Sequence, residues 1–426
     1  MDYVNSTLVP GVNLTYVRQE KYKTEQLSVS FILPLNSINA AGLTLLSRVI
    51  SRGTSRHATL KSLTRALEEN YGCDIAVYPN KIGESLCFTF SLSSLKNRYA
   101  IRGEDIFGAS LKLLSDLIFS PRLVGGFFDG NYVNREKQTL TEQIFSLVNN
   151  KPAYAKKRAV EIMCYGEPYA IPSYGDIETL GKFNKKSLTE LYYSLINSAP
   201  VEITYAGEEA LTEQRLSNCF FFKERNYILP GVSPCGGVKK VREVTEKTHA
   251  AQSTLVLCFR VGGSPAHGDY TAFTLFGELF AHSPTSRLFV NVREKLSLCY
   301  YAALSFDRLK GVMTVTTGID AKNRKRAKAA IMRELYALQN GDFTDEEFQN
   351  ALNSSLSTYK EALDDPSLAS SYRMARIIQG SFVPLEEEME RLCELTAEDV
   401  ARAASNITLD TVYLLLGEEQ TSADKI

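Results

Sequence analysis

The chain has 426 residues, 44% hydrophobic and 23% charged, which is the profile of a globular protein with a full core. At that length two domains of roughly 200 residues are the natural expectation. A formal net charge of −1 gives no electrostatic basis for binding nucleic acid or an anionic membrane.

The opening residues, MDYVNSTLVPGVNLTYV, hold no basic segment leading into an apolar run. A secretory signal is therefore not expected, and a cytoplasmic location is. No apolar run approaches the ~20 residues that cross a bilayer. The first strong element is the alternating stretch EQLSVSFILPLNS (Glu25 to Ser37), a strand, followed by the helical GLTLLSRVISRGT (Gly42 to Thr54). In that helix Thr44, Ser47 and Arg48 stand at i, i+3 and i+4 and share a face. An inverted zinc motif, His-x-x-Glu-His, uses this spacing to set two imidazoles on the metal and a carboxylate on its water. Hydroxyls are poor zinc donors at neutral pH, and a guanidinium stays protonated and repels a dication. Further along, the helical NREKQTLTEQIF offers the carboxylates Glu136 and Glu142.

The second half repeats the first. Glu25 to Ser37 returns in character as AQSTLVLCFRVGGS (Ala251 to Ser264). NNKPAYAKKRAVEIMCYG (Asn149 to Gly166) returns as DDPSLASSYRMARIIQG (Asp364 to Gly380), and APVEITYAGEEA (Ala199 to Ala210) as LDTVYLLLGEEQ (Leu409 to Gln420). Three matches in one order, roughly 210 to 226 residues apart, point to one duplicated unit and not to a solenoid, whose period is far shorter. Each copy reads strand, helix, strand pair, long helices and a last strand. The fold class expected is α+β, each copy a mostly antiparallel sheet with helices on one face. The boundaries expected are 1–225, a Pro/Gly-containing linker at 226–248, and 249–426.

No alternative catalytic centre is visible. The histidines His57, His249, His267 and His282 are scattered, and the pair His267-Gly-Asp269 reads as a loop. There is no phosphate-binding loop, dinucleotide fingerprint or nucleophile elbow. The cysteines Cys73, Cys87, Cys164, Cys219, Cys235, Cys258, Cys299 and Cys393 show no Cys-x-x-Cys spacing and are expected as reduced thiols.

The frame Gly42, Leu45-Leu46, Val49-Ile50 and Gly53-Thr54 resembles the zinc helix of the M16 peptidases (insulinase, pitrilysin and mitochondrial processing peptidase). In this resemblance Thr44 and Arg48 stand for the two histidines and Ser47 for the glutamate. Glu142 best matches the third ligand, with Glu136 the alternative. TSRLFVNVREKLSLCYYAALSF (Thr285 to Phe306) resembles the family's second signature, with Ser286, Arg287, Leu288, Phe289, Arg293, Glu294, Lys295, Leu298 and Tyr300 in register. Ser297 departs from it by replacing a glycine. The resemblance implies that Arg293 and Tyr300 hold the substrate peptide near its scissile carbonyl, donating hydrogen bonds to it. It implies no metal in this chain. It also implies a heterodimer with a catalytic M16 chain carrying an intact His-x-x-Glu-His, or self-association, around a peptide substrate. The pattern looks like the paired bacterial M16 chains associated with elongation factor P modification. A metal-binding peptidase with other ligands and a pure scaffold are the competing expectations.

Overall fold

The computed structural model describes residues 3–211, 213–233, 236–262, 270–380 and 382–418. Cys235 and the His267–Asp269 loop lie outside the described residues. The alternating stretch forms the strand Thr24–Pro34, which turns Leu27, Val29 and Phe31 into the core and Gln26, Ser28 and Ser30 to the other face. It sits inside a six-stranded sheet ordered Tyr3–Val9, Val12–Arg18, Val201–Gly207, Thr24–Pro34, Ser85–Leu95, Asp74–Ile82. Val12–Arg18 and Val201–Gly207 pair in parallel, and every other pair is antiparallel. The apolar face is covered by helices Ser37–Ile50, Ile106–Phe119 and Lys185–Ser198, whose leucines close one core with Phe31, Phe88 and Phe90.

A second sheet repeats this plan with five strands ordered Tyr301–Asp307, Val312–Ile319, Ser253–Val261, Ile407–Glu418, Arg242–His249, the last pair again parallel. Ser253–Val261 is buried at every residue. Val256 and Cys258 face one side, while Leu255, Leu257 and Phe259 alternate to the other. A strand buried along its whole length belongs to a sheet covered on both faces. The architecture is α+β, and among the described residues no helix is long and apolar enough to cross a membrane.

The chain divides into two units: Met1–Phe145, Ile171–Gly231 and Pro366–Ile378 form one, and Ser146–Ala170, Val232–Asp365 and Gln379–Ile426 the other. These differ from the boundaries read along the sequence, because each copy gives one helix to the other unit. Helix Lys151–Met163 covers the second sheet, with Ala155, Ala159 and Met163 against Val256, Cys258, Tyr413 and Leu415. Helix Pro366–Gln379 covers the polar face of the first sheet: Ser370 Oγ lies 3.2 Å from Ser28 Oγ, and Arg373 donates to Asn5 Oδ1 at 2.9 Å and to Thr15 Oγ1.

Charge holds the first of these helices in place. Its C-terminal carbonyls are orphans that cations satisfy. Arg242 donates to Ile162 O at 2.6 Å, and Arg260 to Met163 O at 2.7 Å. Arg260 also bonds Glu167 Oε1 at 2.5 Å and Asp410 Oδ2 at 3.1 Å, while buried Lys310 pairs with Glu167 at 2.9 Å.

Candidate functional site

Helix Ser37–Ile50 begins at Asn36, whose side chain accepts from Asn39 N at 2.8 Å, and it buries both apolar pairs of its frame, Leu45-Leu46 and Val49-Ile50. Thr44, Ser47 and Arg48 share the expected face, but each has another occupation. Thr44 Oγ1 donates to Ser173 O at 3.2 Å, and Ser47 Oγ donates back to Thr44 O at 2.9 Å. Arg48 Nη2 donates to Gln143 Oε1.

That last contact corrects the assignment of Glu142. On helix Gly130–Ser146, Val133, Glu136 and Leu140 are buried, and the exposed Gln143 continues their run at steps of three and four residues. Gln143 is therefore the side chain opposite Arg48. Glu142 points to solvent, where Gln138 Nε2 donates to it at 3.0 Å. Glu136 is buried and its carboxylate is engaged by Arg52. The stripe was readable from the sequence, since Val133 and Leu140 fix its phase. The face to which the resemblance points thus offers two hydroxyls, a guanidinium and an amide. This donor set does not fit a zinc ion.

The second signature is built differently. Its segment Leu288–Lys295 is π-helical, with Leu296 N reaching Asn291 O at 3.2 Å and Leu298 N reaching Val292 O at 3.1 Å. Such wide turns are uncommon and concentrate at functional sites. Ser286, Leu288 and Leu298 are buried, and Arg287 is fixed by Glu334 at 3.0 Å and Glu347 at 3.3 Å. Those residues hold the fold.

Arg293 and Tyr300 do not. Arg293 is exposed, its guanidinium 4.5 Å from the centre of the Phe289 ring, and it forms no ion pair among the described residues. Tyr300 is 60% exposed, and its phenol donates to Asp320 Oδ1 at 3.1 Å. Burial pushes the Cys299 thiol up, and the Arg293 charge opposes it. Arg293 and Tyr300 are thus two exposed side chains of the same signature, in the second unit. Asp320 was not singled out by sequence, because no spacing rule links it to the signature.

Ser297 adopts φ +49°, the left-handed conformation that favours glycine. A side chain there costs about 1–2 kcal/mol, part of which a glycine gives back through its freer unfolded chain. Ser297→Gly is expected to stabilise the protein by about 0.5–1 kcal/mol. The check is a denaturant midpoint that rises with unchanged slope; a falling midpoint would refute it.

Comparison with known proteins adds an independent line. Residues 182–355 match the family model described as "Peptidase M16 inactive domain". The chain is 30% identical to the "Probable inactive metalloprotease YmfF" of Bacillus subtilis (strain 168), over 99% of this chain and 100% of that protein. It is 23% identical to the "Uncharacterized zinc protease YmxG" of the same strain, over 72% of this chain and 74% of the relative. A crystal structure of a conserved protein from Enterococcus faecalis superposes with a TM-score of 0.91 at 27% identity, covering 99% of this chain and 100% of the other. The "peptidase M16 inactive domain" from Pseudomonas fluorescens superposes with a TM-score of 0.77 at 16% identity, covering 99% and 100%, and speaks for the fold alone.

Proposed function

This chain belongs to the M16 peptidase family, and on that premise we propose that it is a non-catalytic subunit that pairs with a zinc-containing M16 chain and holds its substrate peptide. One observation carries the reading. The first signature has lost every group that could serve a metal, at Thr44, Ser47, Arg48 and Gln143, while the second keeps Arg293 and Tyr300 exposed to a ligand. A subunit with no substrate role has no need of an exposed arginine and an exposed tyrosine on a signature whose other residues pack and pair to hold the fold.

The chemistry divided between the two chains follows. The partner supplies the metal and its activated water. This chain supplies a cation with a fork of N–H donors, placed where negative charge gathers on a peptide carbonyl. Holding the peptide in register is itself catalytic help, because it removes the entropy of alignment from the chemical step. A cytoplasmic location and a peptide or small protein substrate complete the proposal.

The test is co-expression with an M16 chain from the same genome that carries an intact His-x-x-Glu-His. The two should elute as one complex by gel filtration, with one zinc per pair and hydrolysis of unstructured peptides. This chain purified alone should hold far less than one zinc and cleave nothing. Stoichiometric zinc with chelator-sensitive hydrolysis by this chain alone would sink the proposal, and so would an inability to pair.

A further inference from the structure

A phenol has a single proton to donate. In Tyr300 that proton is already engaged by Asp320 Oδ1 at 3.1 Å. The pair is held from the backbone. Tyr300 N donates to Gly318 O at 2.9 Å, which fixes the base of the ring beside the end of strand Val312–Ile319, where Asp320 follows. Asp320 stands at the N-cap of the short helix Ala321–Asn323, yet its side chain makes no capping hydrogen bond. Among the described residues its carboxylate is committed to the Tyr300 phenol alone. The hydrogen bond and charge of Asp320 both raise the pKa of Tyr300 above the ordinary phenol value.

Arg293 is complementary. Its guanidinium is all donor, and apart from stacking on Phe289 it has no described partner. A peptide unit presents one acceptor and one donor. Two donors side by side would satisfy only its carbonyl. A donor beside an acceptor matches the whole unit.

We propose that Asp320 is the positioning residue of Tyr300: by accepting the phenolic proton it turns an oxygen lone pair outward, so that Tyr300 receives a peptide N–H while Arg293 donates to a carbonyl. This rests on the peptide-holding function proposed above and assigns each side chain its polarity there. Tyr300 is then an acceptor and not a second donor to the developing oxyanion.

The experiment has two arms. The first uses the full chain by itself, labelled with 3-fluorotyrosine, the Tyr300 fluorine signal being identified by its loss in Tyr300→Phe. Asp320→Ala should bring the Tyr300 pKa down toward the ordinary phenol value. An unchanged titration means that the bond is not made in solution, and overturns the inference whatever the function.

The second arm measures hydrolysis of an unstructured peptide by the reconstituted pair. Asp320→Ala and Tyr300→Phe should each raise KM by roughly 3- to 10-fold, the worth of one ordinary hydrogen bond, with little change in kcat. Combining them should add nothing further, and Asp320→Asn, whose Oδ1 still accepts, should recover most of the loss. If Tyr300→Phe lowers kcat while Asp320→Ala leaves KM alone, the phenol is a donor in the transition state. The positioning role then falls, and the peptide-holding function stands. If Arg293→Ala, Tyr300→Phe and Asp320→Ala all leave KM and kcat unchanged, the peptide-holding function itself falls.

Discussion

Arg260→Met is expected to destabilise the second unit by about 1.5–3 kcal/mol, because it removes a buried cation that hydrogen-bonds two carboxylates and a helix-end carbonyl. The Arg260 and Asp410 side chains are 7% and 4% exposed. Removing the guanidinium leaves Asp410 with Arg242 at 3.3 Å, and withdraws one of the two donors to Met163 O. Against a total stability of about 5–15 kcal/mol, a loss of that size is a large fraction. The exposed pair Arg65–Glu69 is the control, and Arg65→Met should leave stability essentially unchanged. Equilibrium denaturant unfolding makes the comparison, with limited proteolysis between residues 146 and 170 as a local readout. Equal effects of the two substitutions would refute the role given to Arg260.

The same network predicts how the tie responds to acid. Burial pushes the Glu167 carboxyl up, but hydrogen bonds from Arg260 and Lys310, then their charges, outweigh it and hold its pKa below the usual carboxylate value. A group whose pKa is lower folded than unfolded adds stability that is fully present above the unfolded value and is lost as pH falls toward the folded one. Loosening of helix Lys151–Met163 is therefore expected on the acid side of neutrality, and not on the alkaline side.

The helix exchange marks where sequence reasoning stops. The duplication was legible, because Thr24–Pro34 and Ser253–Val261, and then Val201–Gly207 and Ile407–Glu418, repeat both their pattern and their place in the sheets. The matching of the stretches around Lys151–Met163 and Pro366–Gln379 was legible too. Which sheet each helix covers was not. Ala155, Ala159 and Met163 make the same apolar face whichever sheet they meet, and periodicity carries no address. The candidate site divides similarly. The loss of metal chemistry at Thr44, Ser47 and Arg48 follows from residue type alone, while choosing between Glu142 and Gln143 depends on helix phase, which the buried Val133 and Leu140 set. The glycine expected at 297 is explained by the positive φ that the serine retains. No local pattern announces Asp320, since its link to Tyr300 is made across two strands.

Arg293→Ala should reduce peptide hydrolysis by the reconstituted pair by roughly 100- to 1000-fold, the loss of one preorganised electrostatic contact of about 2.7–4 kcal/mol in the transition state. The same substitution should leave stability within about ±0.5 kcal/mol, since the side chain is exposed and gives up only its stacking on Phe289. Arg293→Lys keeps the charge but loses the planar fork, so it should fall between the two and recover binding better than rate. Six residues earlier, Arg287 makes the opposite case: it is tied to Glu334 and Glu347, and its replacement should be felt in folding before any assay of function. The contrast separates an arginine that builds the segment from one that the segment presents. Gel filtration of each variant with the partner must show an intact complex before rates are compared. A pair whose kcat/KM is unchanged by Arg293→Ala has no use for the guanidinium, and the second signature would then be a feature of the fold alone.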